Sequence, residues 1–61
     1  MKQTRRFVRA LVSLGYGIRK GAVGEILYEH DGLIEVHFER EGISLPVRRE
    51  DIEDVETTVT P

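Results

Sequence analysis

The chain has 61 residues, 39% hydrophobic and 33% charged, with no cysteine and a net charge of −2. A chain this short buries only about 60% of the surface its unfolded form exposes, which excludes two domains, and the missing cysteines exclude a disulfide framework and a thiolate metal site. The composition is globular and no apolar run approaches the roughly 18 residues of a membrane helix, so packing or a partner has to supply the stability.

The chain opens on a basic arm, residues 1–6. Residues 1–20 hold Lys2, Arg5, Arg6, Arg9, Arg19 and Lys20 and no acid, whereas residues 21–61 hold three cations and eleven acids, so the halves carry +6 and −8. Such a split suits an arm that seeks nucleic acid or an acidic partner. It equally suits internal neutralisation, with Arg5, Arg6 and Arg9 facing Glu53, Asp54 and Glu56. The opening resembles the charged start of a signal peptide, but Arg9 and Ser13 interrupt the apolar stretch and no small-residue cleavage site follows. The expectation is a cytoplasmic protein without export.

Residues 4–14 carry two patterns. Thr4 as N-cap, Phe7, Val8, Leu11 and Val12 at helical spacing and Gly15 as a stop describe a basic amphipathic helix. Three arginines near its start oppose the helix dipole, and Phe7, Val8 and Val12 favour a strand. Gly15-Tyr16-Gly17-Ile18-Arg19-Lys20-Gly21 is a loop rich in tight-turn residues. Ala22–Tyr28 reads as a strand; Val23 and Ile26, three apart, share a face only if Gly24 marks a bulge or sharp bend. His30-Asp31-Gly32 supplies the positive φ of a tight hairpin.

The clearest signal is residues 33–39, where Ile34, Val36 and Phe38 alternate with Glu35, His37 and Glu39, the two-residue period of a half-buried strand. After the Glu39–Gly42 turn, Ile43, Leu45 and Val47 alternate with Ser44, Pro46 and Arg48. Pro46, lacking an amide hydrogen, belongs at a bulge or an edge. Residues 49–52 read as one helical turn, 54–56 as a brief last strand and 57–61 as a flexible tail.

The segments Gly21-Ala22-Val23-Gly24-Glu25-Ile26, Ile34-Glu35-Val36-His37-Phe38 and Pro46-Val47-Arg48-Arg49-Glu50-Asp51-Ile52 together resemble small SH3-like barrels. The pattern is similar to a segment of the nitrogen-fixation protein NifZ, to accessory subunits of photosystems and ferredoxin-thioredoxin reductase, and, in its glycine-rich entry, to KOW modules. The resemblance spans residues 7–56 and favours a strand over Phe7–Leu14. It implies an all-β, five-stranded SH3-like barrel with one short helical turn before the last strand. The expected core is Val8, Val23, Ile26, Ile34, Val36, Phe38, Ile43, Leu45, Val47, Ile52 and Val55.

The hydroxyls stand in no nucleophile elbow and beside no histidine in sequence, and the interior of so small a barrel is filled by side chains; no catalytic residue is assigned, and the chain is expected not to be an enzyme. His30 and His37 read as solvated surface residues rather than metal ligands, and no metal or cofactor is expected. The Gly15–Gly21 loop lacks the Walker spacing and leads into a strand, so phosphate capture does not fit. As the resemblance implies, a long first loop borders a surface groove, where Tyr16 either gives an apolar face with a polar tip beside Arg19 and Lys20 or folds back over an open barrel end. The expected function is a non-catalytic module binding a protein partner through Tyr16, Arg19, Lys20, Arg48 and Arg49, as an adaptor or accessory factor for a redox or metal-cluster enzyme. The alternative is a KOW-like module binding nucleic acid through Arg5, Arg6, Arg9, Arg19 and Lys20, against which stands an acidic hairpin face of Glu25, Glu29, Glu35 and Glu39. No membrane contact is expected, and the chain is a monomer or weak homodimer.

Overall fold

The computed structural model describes residues 5–55. It contains β1 (Phe7–Ala10), β2 (Val23–His30), β3 (Leu33–Phe38), β4 (Ile43–Arg48), a 3₁₀ turn (Arg49–Asp51) and β5 (Ile52–Val55). The strands form one antiparallel sheet in the order β4-β3-β2-β1-β5. Among the described residues no helix is long and apolar enough to cross a membrane. The tail expected at 57–61 and the first four residues of the basic arm lie outside the described residues.

The turns explain the order. Asp31 and Gly32 sit at φ 51° and 78°, the mirror-image turn whose twist matches the flanking strands, so β2 and β3 pair directly. No ladder joins β4 to β5 among the described residues, yet the link between them is short. From Arg48 to Ile52 the chain takes four residue steps, mostly through the 3₁₀ turn, reaching on the order of 8 Å at about 2 Å per residue. A flat five-stranded sheet would hold its edge strands about 19 Å apart at about 4.8 Å per spacing. The sheet therefore curls, and its edges approach at the end occupied by the 3₁₀ turn.

Curling gives one concave face, and the alternation of β3 fills it. Ile34, Val36 and Phe38 are buried there with Val8, Ala10, Ile18, Val47 and Ile52, and Ile26 and Leu45 pack against them. Val23 departs from its expected place in the core. Opposite Arg9 in the ladder, it turns to the convex face and is 47% exposed. Ile18 takes its share of the interior, fully buried, from within the glycine-rich loop.

Because Val23 points outward, Gly24 does not have to carry a bulge. The register shift lies instead between Ile26 and Tyr28, with Leu27 the extra residue. It changes the phase of the strand, so that Tyr28 stands opposite Glu35 and Glu29 opposite Ile34. Gly24 has another reason to be glycine: a Cβ there would stand 2.5 Å from Val36 Cγ1 and 2.9 Å from both His37 O and Phe38 Cδ1. The bare backbone lets β2 lie close over β3.

The first strand ends at Ala10 rather than at Leu14, and no helix forms across the described part of 4–14. The amides past Ala10 find other acceptors: Leu11 N–H donates to Asp51 O (2.8 Å) and Leu14 N–H to Ile18 O (2.9 Å). The helical turn stops at Asp51, and the last strand begins at Ile52 rather than Asp54, since Ile52 pairs with Ala10 and is buried. Pro46 lies on β4, which among the described residues is an edge strand paired only with β3, where a missing donor is tolerated.

Candidate functional site

The N-terminal arginines are engaged by the fold itself. β1 lies between β2 and β5, two strands that carry acids opposite it. Arg5 donates from Nε to Glu25 Oε2 (3.0 Å) and from Nη2 to Glu25 Oε1 (2.9 Å), and its guanidinium stands 5.2 Å from the centre of the Phe7 ring. The hydrogen-bonded Arg5 holds the Glu25 carboxyl below its ordinary range, and Glu25 in turn raises the guanidinium. Arg9 Nη1 donates to Glu53 Oε2 at 3.1 Å, and Arg6 lies 3.9 Å from Glu29 and 3.7 Å from Asp54. Of the five cations in the nucleic-acid alternative, Arg5, Arg6 and Arg9 are thus paired. Arg19 and Lys20 have no carboxylate partner among the described residues.

The loop after β1 is built around a reversal. Ile18 N–H donates to Gly15 O (2.8 Å), with Tyr16 and Gly17 between them at φ 55° and 84°. Both central residues are left-handed, as in a two-residue mirror-image hairpin turn. Ile18 anchors the turn in the core while Tyr16, at its tip, is 78% exposed. The loop then returns to the sheet: Ala22 N–H donates to Arg19 O, Gly21 N–H to Ala10 O and Ala10 N–H to Ala22 O.

Between this loop and β4 runs a surface groove of 470 Å³, lined by Val12, Tyr16, Leu33, Pro46, Arg48 and Asp51 among others. Tyr16 and Arg48, both expected at a partner surface, share it. Arg19 and Lys20 lie on the returning arm of the loop, outside the groove lining. Arg49 lines a separate shallow depression with Ile52, Glu53 and Asp54. Leu33 and Asp51 are additions to the expected surface. Leu33 had a signal, since it is the one apolar residue on the phase of Glu35 and His37, the convex phase of β3. Asp51 had none: it reaches the groove lining from the 3₁₀ turn, which no pattern in its own stretch announces.

The histidines lie apart from the groove. Exposed His30 sits in the hairpin turn, its Nε2 3.5 Å from Asp31 Oδ2. His37 Nδ1 is 2.8 Å from Ser44 Oγ, a pair created by the ladder that sets residue 37 opposite residue 44. It clasps β3 to β4 on the convex face. Near it is a second cleft of 360 Å³, lined by Phe7, Val23, Glu25, His37 and Glu39 among others, and Arg5 already engages its Glu25 carboxylate. No group of three or more histidine or carboxylate side chains suited to a metal occurs among the described residues. Set against protein-family models, curated proteins and solved structures, the chain matches none of them.

Proposed function

We propose that the protein is a non-catalytic binding module that seats a segment of a partner protein in the groove between the Tyr16 loop and β4. The observation that carries this reading is Tyr16 itself. A left-handed conformation costs an L-residue about 1–2 kcal/mol, and asparagine or glycine suits the first central position of such a turn far better. A tyrosine held there, its ring mostly in water and at the rim of the groove, contributes little to the fold, and its strain is the kind that persists where a side chain is kept for contact. The strand order, the long first loop and the 3₁₀ turn before the last strand support an SH3-like barrel as the parent architecture, with the curled sheet as its open form. By the resemblance noted above, redox and metal-cluster enzymes are the partners to try first.

The test is capture of partners on immobilised protein, followed by titration calorimetry of each purified partner against wild type, Tyr16→Ala and Arg48→Ala. Loss of at least tenfold in affinity with Tyr16→Ala is expected, as for an aromatic anchor at an interface. Partners bound equally by all three proteins would remove the groove from the contact surface.

One observation favours a second reading, a module for nucleic acid. Arg19, Lys20, Arg48 and Arg49 have no carboxylate partner among the described residues, and both segments that carry them are hydrogen-bonded to Ala10 or Leu11. Four phosphate contacts would give single-stranded RNA binding a log–log salt slope of about −3. A flat salt dependence, or binding that survives replacement of all four by glutamine, refutes it.

A further inference from the structure

Resting on the groove assigned above, we infer that the segment it accepts presents one acidic and one basic side chain two residues apart, with apolar side chains around them. Arg48 and Asp51 line the same groove as Tyr16, Leu33 and Pro46. They carry opposite charges, yet neither forms an ion pair or a side-chain hydrogen bond among the described residues. Side chains three apart in a 3₁₀ helix eclipse one another, but Arg48 precedes the turn with extended backbone (φ −88°, ψ 147°), which takes its side chain out of that stack. The fold neutralises Arg5, Arg6 and Arg9 with its own acids and leaves this opposite pair open in the groove.

Charge complementarity then selects the occupant. A wholly apolar segment would strip water from both groups without replacing it. A wholly acidic segment satisfies Arg48 and is repelled by Asp51, and a wholly basic one meets the reverse. A segment with one charge of each sign satisfies both, and such pairing sets register and direction as it binds. The spacing follows from geometry. From Arg48 to Asp51 one extended step and two steps of 3₁₀ turn advance about 7 Å; an extended segment advances about 3.3 Å per residue and returns to the same side every second one. Acid and base at positions i and i+2 therefore face Arg48 and Asp51 together, while neighbouring apolar residues lie against Tyr16, Leu33 and Pro46.

The experiment is selection of random dodecapeptides displayed on phage against wild type, Arg48→Gln, Asp51→Asn and Tyr16→Ala, each first shown by circular dichroism to melt cooperatively. Peptides selected on wild type should be enriched in Asp or Glu two residues from Lys or Arg amid apolar residues. Enrichment of the acid should vanish on Arg48→Gln and that of the base on Asp51→Asn, and each variant should bind a synthetic wild-type-selected peptide about tenfold more weakly or worse. If the wild-type peptides are purely apolar or of one sign, the paired-charge inference is overturned, and loss of those peptides on Tyr16→Ala leaves the groove standing. If wild type selects nothing above the Tyr16→Ala background, both readings fall.

Discussion

Replacing Tyr16 with asparagine should make the protein more stable while weakening its interaction with a partner. Tyr16 is the first central residue of a turn in which both central residues are left-handed (φ 55° and 84°). An L-residue there forfeits about 1–2 kcal/mol, a cost that asparagine largely escapes by bonding its own backbone. Against this stands the packing of the ring. With 78% exposure the ring covers only some tens of Å² of apolar surface, worth about 0.5 kcal/mol at about 25 cal/mol per Å². The net gain is about 0.5–1 kcal/mol, which in a domain this size raises the midpoint of thermal unfolding by roughly 2–8 °C. Circular dichroism melts of wild type, Tyr16→Asn and Tyr16→Ala decide it. The alanine variant keeps the left-handed cost and loses the ring, so it should melt no higher than wild type. A midpoint for Tyr16→Asn at or below that of wild type would mean that the tyrosine holds the loop in place, and the case for a residue retained for contact would fail.

Three further outcomes test the packing and the charges. Gly24→Ala should cost about 1–3 kcal/mol in urea unfolding, because its methyl meets Val36, Phe38 and the His37 carbonyl; an unchanged midpoint would show that β2 is not held so close to β3. Ile18→Val should cost about 0.5–1.5 kcal/mol and Ile18→Ala about 2–5 kcal/mol, most of the roughly 3–9 kcal/mol expected for a domain of this length; a loop variant costing less than 0.5 kcal/mol would place Ile18 outside the core. The stability difference between wild type and Glu25→Gln should depend on pH in a defined direction. The Glu25 carboxyl is depressed from 4.5 by its hydrogen bond to Arg5, so its contribution is present above about pH 4.5 and disappears as pH falls through the lowered native value. Added salt should shrink the same difference, and a difference that instead grows in acid would contradict the pairing.

Much of this was legible along the chain, for identifiable reasons. The strict alternation from Ile34 to Phe38 fixes both the strand and its buried face, because a one-residue slip would expose all three apolar side chains. Asp31-Gly32 specifies its hairpin turn by local chemistry alone. Neutralisation of Arg6 and Arg9 by Asp54 and Glu53 follows from the charge split, but the partner of Arg5 is Glu25, which only the β1–β2 register reveals. Ile18 was invisible as a core residue, since one aliphatic among glycines and cations has no period. Val23 reads as core only with a bulge at Gly24, whereas the ladder runs regularly from Val23 to Ile26 and the extra residue comes later, at Leu27. Val12, Pro46 and Asp51 meet across elements, so their common groove has no signature in any single stretch.

The place of β1 has a consequence for how the protein is made. This four-residue strand has its neighbours on either side in β2 and β5, and Arg9 is clasped by Glu53, forty-four positions further along. A chain growing from its N-terminus cannot pair both flanks of β1 until Val55 has been synthesised; until then, one flank of β1 offers its amides and carbonyls to any passing strand. Loop closure over that distance comes before its reward. Completion of that flank thus waits for β5, and Arg9 stays without its carboxylate partner until Glu53 arrives.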